Sequence, residues 1–202
     1  MKLNLPGHGG EPRVRPATAE RFAEAILPSV PDGSVLVGCS LGGMVALAAA
    51  ALEPAKIKAL VLVDVPIRAP LKFISWYTPY VAPVVTRIPG RKAIGRTVGR
   101  RIANPVGRAA FEGFLANSDP NGLADALIVA ARFDGDAILG QIEVPILALC
   151  GERSLLTGKT YREKLRRLCQ NVDIVEVPTG HLIQFENAEV MQAEIDRFVA
   201  GL

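Results

Sequence analysis

No apolar run in this chain approaches the ~18 residues that a membrane span needs. The longest, Phe73–Val85, is broken by Pro79 and Pro83, so a spanning helix is excluded. The first residues, Met1-Lys2-Leu3-Asn4-Leu5-Pro6, lack the apolar stretch of a secretory leader. Cysteine is scarce: Cys39, Cys150 and Cys169 are odd in number and show no C-x-x-C spacing. That excludes a disulfide frame and a zinc site and points to reduced thiols in a cytoplasm. There are no repeats, no low-complexity segments and no nucleic-acid-binding motif. Acidic residues are missing from one long stretch. Between Arg68 and Arg108 stand Lys72, Arg87, Arg91, Lys92, Arg96, Arg100 and Arg101, with no Asp or Glu among them. Such a run is a solvated helical face or an attractor for an anionic substrate or acidic surface. A basic stripe alone does not indicate nucleic acid.

What is present fits one soluble domain with a sizeable core: 202 residues, 50% hydrophobic, 21% charged, net charge +3. The densest signal is Val35-Leu36-Val37-Gly38-Cys39-Ser40-Leu41-Gly42-Gly43-Met44. It reads as a buried strand, a glycine-flanked serine and a small-residue helix, the setting of a G-x-S-x-G nucleophile elbow. In so tight a turn flanking side chains would collide, so glycine is expected to be needed at Gly38 and Gly42. The turn lifts the Ser40 hydroxyl clear of the sheet. It also leaves the N–H of Leu41 at a helix start, where it can hold an oxyanion. Cys39 reads as a small packing residue. Only two histidines exist. His181 follows the strand-like Val172–Val177 in the run Val177-Pro178-Thr179-Gly180-His181.

Apolar runs alternate with helical patterns, which argues for an α/β fold: a mostly parallel sheet with helices on both faces. Strands are expected at Gly33–Gly38, Ala59–Val63, Ile146–Cys150 and Val172–Val177. Helices are expected at Thr18–Leu27 (with Thr18 as N-cap), Gly43–Leu52, Tyr161–Leu168 and Ala188–Val199. From about Val65 to Phe133 the alternation gives way to a proline-rich stretch with helical patterns at Gly107–Leu115 and Gly122–Ala131. Phe73, Trp76, Tyr77 and Tyr80 recur there at helical spacing. They are either packing within that stretch or, with Trp76 and Tyr77 foremost, the wall of an apolar substrate pocket.

These features resemble the α/β-hydrolase superfamily. The matching stretches are Leu5-Pro6-Gly7-His8-Gly9, Gly38-Cys39-Ser40-Leu41-Gly42-Gly43, Val144-Pro145-Ile146-Leu147 and Gly180-His181, in family order along nearly the whole chain. The resemblance implies a serine hydrolase with Ser40 as nucleophile and His181 as base. It implies a core of residues 1–64 and 134–202 with a helical cap, 65–133, inserted over the active site. No metal or organic cofactor is implied. The substrate would be a small carboxylic ester, thioester or lactone, anionic or with an apolar acyl group. A carbon–carbon bond hydrolase and a non-catalytic remnant of the fold are the alternatives, and a homodimer is left open.

Two departures from the family pattern matter. The family's acid usually stands in a Gly-x-x-Asp setting, but here that place reads Gly151-Glu152-Arg153-Ser154. A serine cannot supply the charge that fixes the base. Asp64, at the end of the strand after the elbow helix, is the expected substitute. Glu152 is the runner-up, and Glu186 reads as a surface or helix-start residue. The second departure is at the N-terminus. The chain starts almost at the Leu5–Gly9 motif, where the family has three more strands and a helix before it. The resemblance therefore implies that a strand beside Val35–Val37 is missing, together with the second oxyanion donor, and that this edge is left unpaired. A start site further upstream, a natural remnant, or a second copy covering the edge would each account for it; the first is favoured. His8 is expected to be a structural turn residue.

Overall fold

The computed structural model describes residues 1–68 and 74–202. The four strands are β1 (Ser34–Cys39), β2 (Ile57–Val63), β3 (Ile146–Gly151) and β4 (Val172–Val177). They form one parallel sheet in the order β1-β2-β3-β4. Side chains alternate across the sheet because successive Cβ atoms point to opposite faces. Leu60, Leu62, Ile146, Ala148 and Cys150 face one core, and Val61, Val63, Leu147 and Leu149 face a second. Both faces are covered, so β2 and β3 are near-continuous apolar runs, as buried parallel strands must be.

The larger core packs under α1 (Ala19–Ile26) and α2 (Leu41–Leu52). Thr18 caps α1 by accepting from the Arg21 N–H at 3.2 Å. Alanines let α2 lie close to the sheet, and Glu53 and Pro54 end it. Between β2 and β3 the described chain is helical: α3 (Ile74–Val85), α4 (Arg91–Gly99), α5 (Pro105–Asn117), α6 (Pro120–Arg132) and the short α7 (Asp136–Leu139). Ile88 leaves helical geometry (φ −134°, ψ 110°) and separates α3 from α4. Pro79 and Pro83 are carried inside α3, which packs on α6, while α4 packs on α5. The two ends of this insertion meet. Gly135 N–H donates to Ile67 O at 2.8 Å, and Arg68 pairs with Asp134 at 2.7 Å and Asp136 at 2.9 Å. After β3 come α8 (Lys159–Leu168), then β4, α9 (Ile183–Glu186) and α10 (Ala188–Ala200). Ile195 of α10 closes the second core.

β1 stands at the sheet edge. It pairs with β2 alone among the described residues, and its Val37 is half exposed. No helix among the described residues is long and apolar enough to cross a membrane.

Candidate active site

The parallel register brings the ends of β1 and β2 to the same level. Cys39 pairs with Val63, and the Ser40 N–H donates to Val63 O at 3.0 Å. Ser40 and Asp64 therefore leave neighbouring strands side by side at their C-terminal ends, where open α/β sheets place ligands. Among the described residues, these two are the non-glycine residues with positive φ, 47° in each case. That backbone region is costly for an L-residue and collects at functional sites.

The elbow corrects one steric expectation. A Cβ on Gly38 would lie 2.4 Å from the Gly42 and Gly43 backbone, and one on Gly43 would lie 2.1 Å from Val65 Cγ2. A Cβ on Gly42 would meet nothing within 4 Å. The close approach is thus between residues 38 and 43, because α2 turns back directly over the end of β1. The Gly43 and Met44 N–H groups return to Ser40 O. Leu41, first residue of α2, has an N–H with no intrahelical acceptor. Burial pushes the Cys39 thiol up to about 11, which leaves it a packing neighbour of Ser40 and no competing nucleophile.

Asp64 is fully buried, and four donors converge on its carboxylate. Oδ1 accepts from the Gly151 N–H at 2.8 Å and from the Thr157 hydroxyl. Oδ2 accepts from the Ser154 hydroxyl at 2.7 Å and from His181 Nδ1 at 2.6 Å. With Nδ1 donating, Nε2 is the acceptor of the neutral ring, the tautomer a general base requires. The loop carrying His181 reaches Asp64 because Gly151 has no side chain: a Cβ there would lie 2.2 Å from Gly180 O. The same loop is tied down by Glu186, which accepts from the Gly180 N–H at 2.9 Å and pairs with Arg153 at 2.9 Å. Glu186 is not the surface residue that sequence suggests, since only 5% of its side chain is exposed. Glu152 is exposed, and the nitrogen it would serve is engaged by Asp64.

Ser40 and His181 line one cleft of 1460 Å³. No hydrogen bond joins their side chains among those of the described residues, a looser pairing than the one substrate tightens. The cleft is larger than most ligand pockets because it runs along the open edge of β1 and is bounded on its far side by residues 1–11. Leu41 lies at its floor. His8 lines it too, held in its turn by Nδ1 against Pro6 O at 3.0 Å. Trp76 and Tyr77, expected in the pocket wall, are 80% and 67% exposed and lie outside it. The face of α3 bearing Ala82 packs inward and leaves these aromatics to solvent; Phe73, of the same expected stripe, lies outside the described residues. The aromatic wall comes instead from Phe111, Phe114 and Phe185, with Phe111 and Phe185 edge-to-face at 5.6 Å.

A family model described as the alpha/beta hydrolase fold matches residues 3–188. The chain belongs to the α/β-hydrolase family. This hydrolase is 28% identical over 213 residues to a pimeloyl-[acyl-carrier protein] methyl ester esterase of Neisseria meningitidis, covering 99% of this chain and 68% of that one. It is 31% identical over 169 residues to a protein of the same name from Aromatoleum aromaticum, covering 73% of this chain and 65% of that one. Among solved structures it resembles a thermophilic esterase from Thermogutta terrifontis, with TM-score 0.85 at 24% identity over 98% of this chain and 78% of the other. The enol-lactonase from Burkholderia xenovorans is similar at TM-score 0.84 and 20% identity, with 98% and 79% covered. The chain is an esterase-type α/β-hydrolase.

Proposed function

We propose that this hydrolase cleaves a small carboxylic ester through an acyl-enzyme on Ser40. The observation that carries the reading is the 2.6 Å contact between His181 Nδ1 and the buried Asp64 carboxylate, on the cleft that Ser40 lines. Ser40 Oγ attacks the carbonyl carbon, and its proton passes to His181 Nε2. Asp64 steadies the imidazolium so formed. The Leu41 N–H, with the positive end of α2 behind it, binds the oxyanion. Collapse of the intermediate breaks the bond to the alcohol, which takes its proton from His181. Water then repeats the sequence on the acyl-enzyme and frees Ser40. Residues 65–133 act as a cap over a core of residues 1–64 and 134–202.

The names of the relatives support a finer reading, a methyl ester carried on a protein. The apolar wall of Phe111, Phe114 and Phe185 suits an acyl chain. The cationic run of Arg87, Arg91, Arg96 and Arg100 suits an acidic carrier surface. The test is labelling with a fluorophosphonate probe, followed by mass spectrometry of the modified peptide. Stoichiometric modification at Ser40, lost in Ser40→Ala and His181→Ala, is expected. A folded wild-type protein that takes no label would overturn the reading.

A further inference from the structure

Two buried hydroxyls hold the Asp64 carboxylate. Ser154 and Thr157, on the loop between β3 and α8, are 7% and 0% exposed, and neither belongs to the apolar core. Their hydroxyls have one thing in common, the carboxylate of Asp64. Thr157 takes Oδ1, and Ser154 takes Oδ2 at 2.7 Å, the oxygen that also receives His181. The Ser154 hydroxyl is itself fixed, since its oxygen accepts from the Leu156 N–H at 3.2 Å and its proton points to Asp64. A carboxylate with one partner per oxygen can rotate about χ2. One with two donors on each oxygen has a single orientation, and here that orientation presents Oδ2 to Nδ1. Asp64 lies on left-handed backbone, so it needs such external restraint.

We propose that Ser154 and Thr157 are positioning residues. They hold Asp64 in the rotamer that serves His181. The proposal rests on the serine-hydrolase reading above.

The experiment uses the full chain with p-nitrophenyl butyrate as substrate and the fluorophosphonate probe to count competent sites. Ser154→Ala is expected to lower kcat per labelled site by about ten-fold, the loss of a hydrogen bond to a charged group, with KM unchanged. Ser154→Thr restores it. Thr157→Val repeats the loss and serves as the independent variant should Ser154→Ala fail to fold. Asp64→Asn is expected to lose about 10³–10⁴ in kcat by removing the acid. Wild-type kcat per site in folded Ser154→Ala or Thr157→Val overturns the positioning role. Absence of label on the wild-type protein overturns the hydrolase reading itself, which separates that failure from the failure of the positioning role.

Discussion

Ser40 and Asp64 share an unusual backbone conformation, and each is held in it by groups that have no other evident task. For Ser40 the holding group is the absence of a side chain at residue 38. Gly38→Ala would drive a methyl group to within 2.4 Å of the Gly42 and Gly43 backbone, which cannot yield without moving α2. We expect a cost of about 1–3 kcal/mol for such overpacking, read as a lowered denaturation midpoint. Probe labelling of the folded fraction should fall with it, because the hydroxyl shifts with the turn. Gly42→Ala, where the same methyl group enters open space, should retain labelling. At this scale the sequence is legible where a spacing marks candidates. Ser40, Leu41 and His181 stand out from motif and order, and the structure brings them to one cleft. Asp64 could be read as a candidate because strand ends place functional groups. Ser154 and Thr157 could not, since their meaning lies in contacts spanning 90 and 93 positions. Trp76 and Tyr77 were misplaced because helical spacing says which residues share a face and not which way the face turns.

At the scale of elements, strands and helices of the sheet layers were legible to within a few residues, because two-residue and helical periodicities differ. The insertion was less so. The prolines of α3 argue against a helix, yet α3 forms because its buried face packs on α6. The N-cap of α6 gives this region a testable property. Asp119 accepts from the Asn121 and Gly122 N–H groups at 2.8 Å each. The Gly122 N–H above all, then that of Asn121 and the charges of Arg13 and Arg91, hold its carboxyl below its ordinary value. A depressed carboxyl stabilises the fold above its unfolded pKa of about 3.9 and loses that contribution as pH falls through the folded value. Asp119→Ala should cost about 1 kcal/mol at neutral pH. The gap between the two denaturation curves should be constant above about pH 4 and close in more acid solution.

At the scale of the whole molecule, the sheet of the described residues has two edge strands, β1 and β4. β2 and β3 are buried on both faces, and β1 offers an uncharged edge along the cleft. An edge without lysine or proline invites other strands. Val37→Lys, at a half-exposed position of that edge, is expected to reduce light scattering on gentle warming without lowering the unfolding midpoint. Equal scattering from both proteins would count against the edge as the point of association. The extent of the cleft is not legible in the sequence, because it depends on where residues 1–11 come to rest.

Asp64 and the helical insertion are consecutive in the chain. Asp64 directly follows β2, the insertion departs within four residues, and its return is stapled to its departure by Arg68 with Asp134 and Asp136 and by Gly135 with Ile67. The insertion residues that line the cleft and the Asp64 carboxylate therefore share one anchor. An insertion taken from a relative and joined at residues 70 and 132 would keep this anchor intact. One joined at residues 65 and 137 would discard the staple, and the register of the carboxylate would then be set by the transplanted segment.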